Sequence, residues 1–254
     1  MELGIGGGVA IVTGGAAGIG RATAHVLAGE GVKVAILDRD SALGASGAEE
    51  LVQKGASCIA ITCDIADEES VKQAIKRVAA EWEAIDYLIL CAGISGLYGK
   101  KIEEIEVSQW DTMMGVNVRG QWLCVKHALP YLRKSTRASV SIVASDSALR
   151  ASPLHVPYCT SKGAVLMLTK ALSVDLRKDG IRVNCVCPSI VDTRQSRADV
   201  GLLESGFEGV DYPVMKPEDI ARYLTILASP VAYSINAHAL VADFGYAAQS
   251  LFPC

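Results

Sequence analysis

The sequence predicts a single-domain α/β protein built on a doubly wound parallel sheet with helices on both faces. Short apolar segments of strand length alternate with segments of helical periodicity along nearly the whole chain. The first apolar segment runs directly into a glycine-rich loop and a helix, as in sheets that are covered on both faces. The 254 residues fit one large α/β domain or two small ones, and the unbroken alternation favours one domain over residues 1–254.

Hydrophobic periodicity gives the individual elements. Apolar runs predict strands at residues 9–12, 32–37, 57–62, 85–90 and 140–144. Helices are predicted up to residue 28, over 67–82, in one long helix over 108–132, and over 158–176. Ligands of such sheets bind beyond the carboxyl ends of the strands. We therefore expect one edge of the sheet to hold the glycine loop, Asp38, Asp64, Ala92, Gly93 and Ser145.

A glycine-rich loop at residues 13–20 separates the first strand from the first helix. Its glycines permit a tight turn and a close approach of the backbone to a pyrophosphate, and the helix start favours negative charge. A glycine loop alone is weak evidence. The second strand, however, leads to Asp38, which lies at the distance where dinucleotide-binding proteins place an acid on the adenosine ribose.

Asp38 predicts NAD as the cofactor. A carboxylate accepts both ribose hydroxyls of NAD and repels the 2'-phosphate of NADP. Arg39 offers a partner for that phosphate if Asp38 moves away. The alternative explanation of Asp38 is a turn-forming residue at the end of a strand.

Tyr158 and Lys162 lie four residues apart, which places a phenol and an amine on the same face of a helix. Tyrosine has a pKa near ~10 and is a poor base at neutral pH unless a nearby cation lowers its pKa. Ser145 follows the apolar strand at 140–144 and can present a hydroxyl to the same pocket. The residues therefore predict a Ser-Tyr-Lys site. Taken alone, the pair is better explained as a core tyrosine and a solvated lysine, and the rest of the chain favours the site.

Composition argues against several classes of protein. The net charge of -4 and the isoelectric point near 5.6 disfavour nucleic-acid binding. We see neither a signal sequence nor an apolar run of about 18 residues, so we expect no membrane association and a soluble, cytoplasmic protein. Eight cysteines without CxxC pairs indicate reduced, buried side chains. With four histidines and none beside Cys185 or Cys187, we predict no metal site.

These motifs together resemble the short-chain dehydrogenase/reductase family, and the resemblance covers almost the whole chain. Thr13, Gly14, Gly18 and Gly20 resemble its TGxxxGxG signature. Asp38 matches the NAD-selecting acid, and the pair Asp64-Ile65 lies where that family contacts the adenine. The catalytic tetrad is matched in order and spacing by Asn117, Ser145, Tyr158 and Lys162, and later segments are matched at 181–193 and 217–220.

The resemblance implies a Rossmann-type fold and a role for each of these residues. Tyr158 exchanges the hydroxyl proton, and Ser145 orients the carbonyl or alcohol oxygen. Lys162 lowers the tyrosine pKa and holds the nicotinamide ribose, while Asn117 anchors a water of the proton relay. The implied cofactor contacts are Gly14, Gly18, Ile19, Gly20, Asp38, Asp64, Ile65, Ala92, Gly93, Tyr158, Lys162, Pro188, Val191 and Thr193.

The sequence departs from the family pattern at three positions. Cys91 stands where an asparagine usually tethers the strands. Ser189 replaces a glycine after Pro188 and adds a side chain close to the expected nicotinamide. Phe244 replaces a glycine in a region where the family tends to make subunit contacts. None of the three belongs to the tetrad.

A short substrate lid is predicted over about residues 194–216, where glycines and a proline favour a small or flexible cover. Arg194, Arg197, Arg150 and His155 are candidates for meeting an anionic substrate, although solvated loop charges are the favoured explanation. Ser147 and Ser189 complete the predicted substrate contacts. Apolar surface for a ring or an alkyl chain is offered by Leu149, Leu154, Val156 and Leu203.

Two helices are apolar around much of their circumference, at residues 110–131 and 158–176. The family resemblance implies a homodimer or homotetramer built on them, and the apolar tail at 247–254 is a candidate for a second interface. A thick core is the competing explanation.

We therefore expect an NAD-dependent oxidoreductase that interconverts a secondary alcohol and a ketone, with Tyr158 handling the proton. One alternative is a reductase or dehydrogenase of carrier-linked 3-oxoacyl or 3-hydroxyacyl groups, for which the lid offers only Arg194, Arg197 and Lys216 as docking cations. The other is a catalytically inactive nucleotide-binding protein of the same fold, suggested by the three departures.

Overall fold

The structure, a computed structural model, describes residues 2–248 and is organised around a seven-stranded sheet. Every neighbouring pair of strands is parallel, in the order β3-β2-β1-β4-β5-β6-β7. The order reverses between β1 and β4, as the predicted doubly wound, Rossmann-type sheet requires. The strands are β1 (Val9–Thr13), β2 (Lys33–Asp38), β3 (Cys58–Thr62), β4 (Tyr87–Leu90), β5 (Ser139–Val143), β6 (Arg182–Pro188) and β7 (Ala239–Ala242).

Helices cover both faces of the sheet, because alternate residues of the apolar strands point in opposite directions. Val9 and Ile11 join a core with α3, α5 and α6, whereas Ala10 and Val12 join a second core with α1, α2 and α8. The helices are α1 (Gly18–Gly29), α2 (Ser41–Gln53), α3 (Glu68–Trp82), α4 (Val107–Met114), α5 (Gln121–Leu132), α6 (Val156–Leu176), α7 (Arg194–Asp199) and α8 (Pro217–Ala228).

The helical pattern predicted over 108–132 is confirmed, but it is not α-helical throughout. A π-helical turn at Gly115–Gly120 separates α4 from α5. The backbone of Gly120 lies so close to Ile65 that an added Cβ would come within 2.8 Å of the Ile65 carbonyl oxygen. The wide turn carries Asn117, which is fully buried, and such turns occur frequently at functional sites.

The other boundaries differ from the prediction by one or two residues. The strand predicted from residue 85 begins at Tyr87, because the Asp86 carboxylate accepts a hydrogen bond from the Val9 N–H at 2.9 Å. The predicted capping acid of α3 is confirmed: Asp67 accepts a hydrogen bond from the Glu69 N–H at 3.0 Å. Phe244 has φ 56°, a left-handed conformation that explains why glycine suits this position better.

Exposed apolar side chains occur on both helices for which subunit contacts are predicted. Trp122 on α5 is 41% exposed, and Met167 and Val174 on α6 are 61% and 64% exposed. This exposure agrees with subunit contacts, which stay a prediction. Of the predicted tail interface at 247–254, residues 249–254 lie outside the described residues. Within residues 2–248, no helix has the length and apolar character needed to cross a membrane.

Candidate active site

The glycine loop after β1 packs directly against the end of β4. Gly14 has φ 63°, and a Cβ on it would lie 2.8 Å from the Ala92 Cα. A Cβ on Gly20 would overlap the carbonyl oxygen of Gly14. Gly18, with φ 50°, faces Thr193, whose side chain would lie 3.3 Å from an added Cβ. Side chains at these positions would therefore close the loop on which a pyrophosphate is expected to rest.

Asp38 ends β2 beside this loop, and its carboxylate is held by two backbone groups. One oxygen accepts a hydrogen bond from the Ala16 N–H at 3.1 Å, and the other accepts one from the Asp40 N–H at 3.0 Å. Asp40 in turn caps α2 by accepting a hydrogen bond from the Leu43 N–H at 3.0 Å. These bonds fix the acid at the mouth of the glycine loop. A dinucleotide with free ribose hydroxyls fits this arrangement.

Asn117 ties the loop after β4 to helix α6. Its side-chain oxygen accepts a hydrogen bond from the Ile94 N–H at 2.8 Å, and its amide donates to the Ile94 carbonyl at 2.9 Å and to the Ser161 hydroxyl at 3.0 Å. A Cβ on Gly93 would lie 3.4 Å from the Asn117 side-chain oxygen and 3.6 Å from Lys162 Nζ. Asn117, Gly93 and Lys162 therefore come together, as predicted from their places in the chain.

Tyr158 and Lys162 share one face of α6, as their spacing predicts. Lys162 is buried, donates a hydrogen bond to the Val143 carbonyl at 3.0 Å, and lies 5.6 Å from the centre of the Tyr158 ring. Burial lowers the pKa of Lys162 to about 8. Burial also raises the pKa of Tyr158 to about 12, against an opposing effect of the Ser145 hydroxyl. In the chain alone, the expected lowering of the tyrosine pKa is therefore not seen, because burial dominates and the opposing effect comes from Ser145.

Ser145 lies where β5 ends and begins the short 3₁₀ turn Asp146–Ala148. Its hydroxyl accepts a hydrogen bond from the Ser147 N–H at 3.1 Å and donates one to the Asp146 carboxylate at 3.0 Å. Ser147 therefore contacts Ser145 through its backbone N–H, and the predicted contact of Ser147 with a substrate stays a prediction. Ser145 therefore lies at the carboxyl end of β5, and Lys162 beside Tyr158 bonds the Val143 carbonyl at the end of the same strand.

His155 packs against the catalytic candidates in a way that the sequence did not reveal. Its ring stacks on Tyr158, with centroids 4.5 Å apart and planes 9° apart. Its Nε2 lies 3.1 Å from the Ser95 hydroxyl, and the Tyr98 ring meets it edge-on at 5.1 Å. The only signal in the sequence was the i, i+3 spacing from Tyr158.

The remaining predicted cofactor residues lie around the same edge, and their cofactor contacts stay predictions. Asp64 is exposed and accepts a hydrogen bond from the Ala66 N–H at 2.9 Å, whereas Ile65 is buried against Gly120. Ile19, in the first turn of α1, is partly buried and packs against the second core. Pro188 ends β6.

Backbone contacts hold the segment after β6 at the two ends of the predicted lid. The Ser189 N–H donates to the Ala242 carbonyl at 2.9 Å, and Val191 pairs with Met215 in an isolated parallel bridge. Thr193 caps α7, accepting a hydrogen bond from the Ser196 N–H at 3.1 Å. The two ends of the predicted lid are therefore joined at its base.

Most of the candidate cations for an anionic substrate already have partners. Arg197 forms a two-point ion pair with Asp192, at 2.5 and 2.8 Å, and Arg150 donates to the Tyr246 carbonyl at 3.1 Å. Burial lowers the pKa of His155, which favours its neutral form. Arg194 is exposed at the start of α7. Arg150, Arg197 and His155 therefore already have contacts within the chain, and their contact with an anionic substrate stays a prediction.

A cavity of about 350 Å³ lies beneath the lid, lined in part by Asp192, Arg197, Phe207 and Met215. Tyr158 is not part of its lining, so this cavity is separate from the reacting groups. Within residues 2–248, no group of three or more histidine, cysteine or acidic side chains is arranged to hold a metal ion. The seven cysteines of that range are free thiols.

Comparison with known proteins agrees with this geometry. A family model described as Enoyl-(Acyl carrier protein) reductase matches residues 14–247. The chain belongs to the short-chain dehydrogenase/reductase family. It is 34% identical over 246 residues to secoisolariciresinol dehydrogenase of Forsythia intermedia, covering 94% of this chain and 88% of that protein. It is 33% identical over 255 residues to (+)-cis,trans-nepetalactol synthase of Nepeta racemosa, covering 96% and 93%.

Solved structures of the family share the fold. The 3-ketoacyl-(acyl-carrier-protein) reductase of Brucella melitensis, in complex with NADH, superimposes with a TM-score of 0.87 at 32% identity. The superposition covers 96% of this chain and 99% of that one. Together with the dehydrogenase relative, this likeness supports an oxidoreductase that works with a nicotinamide cofactor.

Proposed function

We propose that this short-chain dehydrogenase/reductase interconverts a secondary alcohol and a ketone with NAD, using Tyr158 as the acid and base. One observation carries the proposal: Tyr158 and Lys162 share a face of α6, with Lys162 Nζ 5.6 Å from the centre of the Tyr158 ring, and Lys162 donates to the carbonyl of Val143, two residues before Ser145. A bound nicotinamide supplies the site that accepts or donates the hydride. The side chains of this protein then have to orient one oxygen and move one proton.

Tyr158 is the group suited to move that proton. In the oxidation direction, its phenolate accepts the proton of the alcohol hydroxyl, and in the reduction direction its phenol donates a proton to the carbonyl oxygen. The raised pKa of Tyr158 makes it a poor base in the chain alone. Lys162, held by the Val143 carbonyl, is the positive charge nearest its ring and favours the phenolate when it is protonated. Ser145 orients the reacting oxygen by hydrogen bonding.

Asn117 serves the site by holding its parts together. Its three hydrogen bonds join the loop after β4 to α6, and this keeps Gly93 beside Lys162. We propose that Asn117 also supports a water that passes the proton from Lys162 to solvent, as the family resemblance implies. Both amide hydrogens of the Asn117 side chain already have acceptors, so we expect such a water to bind the neighbouring backbone.

Asp38 supports NAD over NADP. Both of its oxygens accept backbone hydrogen bonds, so the carboxylate is fixed and cannot easily turn aside to let Arg39 pair with a 2'-phosphate. A fixed negative charge repels that phosphate and accepts ribose hydroxyls instead. The NADH named in the Brucella melitensis reductase structure agrees with this choice.

We further propose that residues 194–216 form the substrate lid of a single catalytic domain spanning 1–254. The bridge between Val191 and Met215 joins the two ends of this segment. Between them lie the short helix α7 and a series of turns, as in a mobile cover. The exposed apolar residues of α5 and α6 support a homodimer or homotetramer. The cytoplasmic location stays a prediction.

A reductase of carrier-linked 3-oxoacyl groups is the second candidate, because the Brucella melitensis relative carries that name. Docking of an acidic carrier needs exposed cations near the lid. Arg197 is paired with Asp192, which leaves Arg194 and Lys216 as the exposed cations of the segment. The site therefore supports a free small molecule better.

The proposed function is tested by incubating the protein with NAD and a panel of secondary alcohols while the absorbance of reduced nicotinamide is recorded. We expect reduced nicotinamide to form with at least one alcohol and not with Tyr158→Phe. Failure across a wide panel, together with no measurable NAD binding, would support the catalytically inactive alternative.

A further inference from the structure

Two carboxylates from different parts of the chain lie near enough to act on the Tyr158 phenol. Asp146, next to the end of β5, accepts the hydroxyl hydrogen of Ser145 at 3.0 Å. Asp199, at the end of α7, accepts a hydrogen bond from the Gly96 N–H at 3.0 Å. Both negative charges act to raise the pKa of the Tyr158 phenol. An incoming substrate therefore approaches the phenol in a negative field.

Except for Arg194, which is exposed at the start of α7, the candidate cations of the site are committed elsewhere. Arg150 donates to the Tyr246 carbonyl, and Arg197 is paired with Asp192. Lys162 is 4% exposed and donates inward to the Val143 carbonyl, and the buried His155 favours its neutral form. A substrate carboxylate placed beside Tyr158 would lose water without gaining a hydrogen-bonded cation.

Apolar side chains surround the same opening. Tyr98 is 49% exposed and meets the edge of His155, which itself covers one face of Tyr158. The segment between Ser145 and Tyr158 exposes Leu149 and Leu154, and Leu154 is held against the Tyr98 loop by the bond from the Gly99 N–H to its carbonyl at 3.0 Å. These exposed apolar side chains are suited to contact the hydrocarbon skeleton of a substrate.

We propose that the substrate is an uncharged, largely apolar secondary alcohol or ketone, and that Asp146 is a specificity-determining residue that rejects anionic analogues. This inference rests on the proposed function, because it concerns the same site. Repulsion of a wrong ligand is an ordinary route to specificity, and a like charge without a counter-ion costs more than a missing apolar contact.

The test compares two alcohols matched in shape, 3-methylcyclohexanol and 3-hydroxycyclohexanecarboxylate, with NAD as the second substrate. For the unmodified protein we expect kcat/KM to favour the neutral alcohol by about a hundredfold. Asp146→Asn keeps an oxygen that can accept from Ser145 but removes the charge. We expect it to narrow the ratio by about tenfold, which is the effect of one partly screened charge a few ångströms away.

A matched control separates local from overall charge. Asp175→Asn removes the same charge further along α6, roughly 25 Å from Tyr158, and should leave the ratio unchanged. A preference for the carboxylate, or a ratio that Asp146→Asn does not move, would overturn the proposal. So would an equal effect of Asp175→Asn.

Binding measurements distinguish this inference from the proposed function. The affinities of 3-methylcyclohexanone and 3-oxocyclohexanecarboxylate for the protein with NADH can be measured by calorimetry without turnover. If no alcohol is oxidised but the neutral ketone still binds better and Asp146→Asn reduces the difference, the proposed function fails and the specificity proposal stands. If neither ketone binds, or the anion binds better, the specificity proposal fails.

Discussion

The imidazole of His155 lies flat against the phenol of Tyr158, with ring centroids 4.5 Å apart and planes 9° apart. Its far side is held by the Ser95 hydroxyl and the edge of Tyr98. The same loop carries Gly96, which donates to Asp199 of α7. The phenol that we propose to handle the proton is therefore linked to the proposed lid by a chain of contacts.

His155→Ala should lower kcat about tenfold, because the phenol ring loses the stacked partner that fixes its plane. His155→Phe preserves a flat ring and should stay within about threefold of the original kcat. The affinity for NAD should change little in either variant, since His155 contacts Tyr158, Tyr98 and Ser95 and not the glycine loop. Steady-state kinetics with a secondary alcohol and a separate NAD titration measure both quantities.

His127→Ala, on α5, removes a histidine that pairs with Glu68 and should leave kcat unchanged. The positioning role of the stack is refuted if His155→Ala keeps full kcat. It is also refuted if His155→Phe loses as much activity as His155→Ala, because the hydrogen bond to Ser95 would then be the contact that matters.

Tyr158→Phe should reduce turnover by about a thousandfold or more, because a phenyl ring can neither accept nor donate the proton. The ring still stacks on His155, so the fold and the affinity for NAD should be retained. Tyr223→Phe, which removes an exposed phenol on α8, is the matched control and should leave turnover intact. A Tyr158→Phe protein with near-normal rates would show that another group transfers the proton.

The sequence predicted most of what is organised by periodicity and spacing. The parallel sheet follows from short apolar strands between helices, and Tyr158 and Lys162 share a face because four residues make about one helical turn. The π-helical turn around Asn117 was missed, and it accompanies a contact between Gly120 and Ile65, 55 residues apart in the sequence. No local pattern carries such a contact.

Charges were predicted less well than elements, for a similar reason. Arg197 was a candidate contact for a substrate anion, yet in the structure it pairs with Asp192. That pairing depends on how the chain turns between β6 and α7. The effect of burial on the Tyr158 phenol likewise depends on the whole packed site. The pKa of a side chain depends on its burial, its neighbouring charges and its hydrogen bonds, and the sequence alone does not give these surroundings.

Asp38→Ala should narrow the preference for NAD over NADP by at least about tenfold, because a repulsive charge disappears from beside the 2' position. Asp38→Asn is the more informative variant. Its amide oxygen can still accept a backbone hydrogen bond from Ala16 or Asp40, so the loop is disturbed least while the charge is lost. Values of kcat/KM with each cofactor give the preference. If both variants keep the original ratio, a different group selects the cofactor.

Lys162→Met should stabilise the cofactor-free protein while abolishing turnover. Burial lowers the pKa of Lys162 from 10.5 to about 8, a cost of about 3 kcal/mol at neutral pH. Methionine fills a similar volume without the charge, and losing the bond to Val143 offsets about 1 kcal/mol. We therefore expect the free energy of unfolding at pH 7 to rise by about 2 kcal/mol.

The pH dependence of that gain identifies its cause. Because the folded pKa of Lys162 lies below the unfolded value, the unfolded chain binds more protons between about pH 8 and 10.5, and the stability of the unmodified protein rises across that interval. The advantage of Lys162→Met should therefore shrink above pH 8 and vanish near pH 10.5. Lys170→Met, at an exposed position of α6, should change stability by less than about 0.5 kcal/mol at either pH. Denaturant titrations without cofactor measure these differences, and a Lys162→Met protein that is less stable at pH 7 would show that the buried ammonium supports the fold.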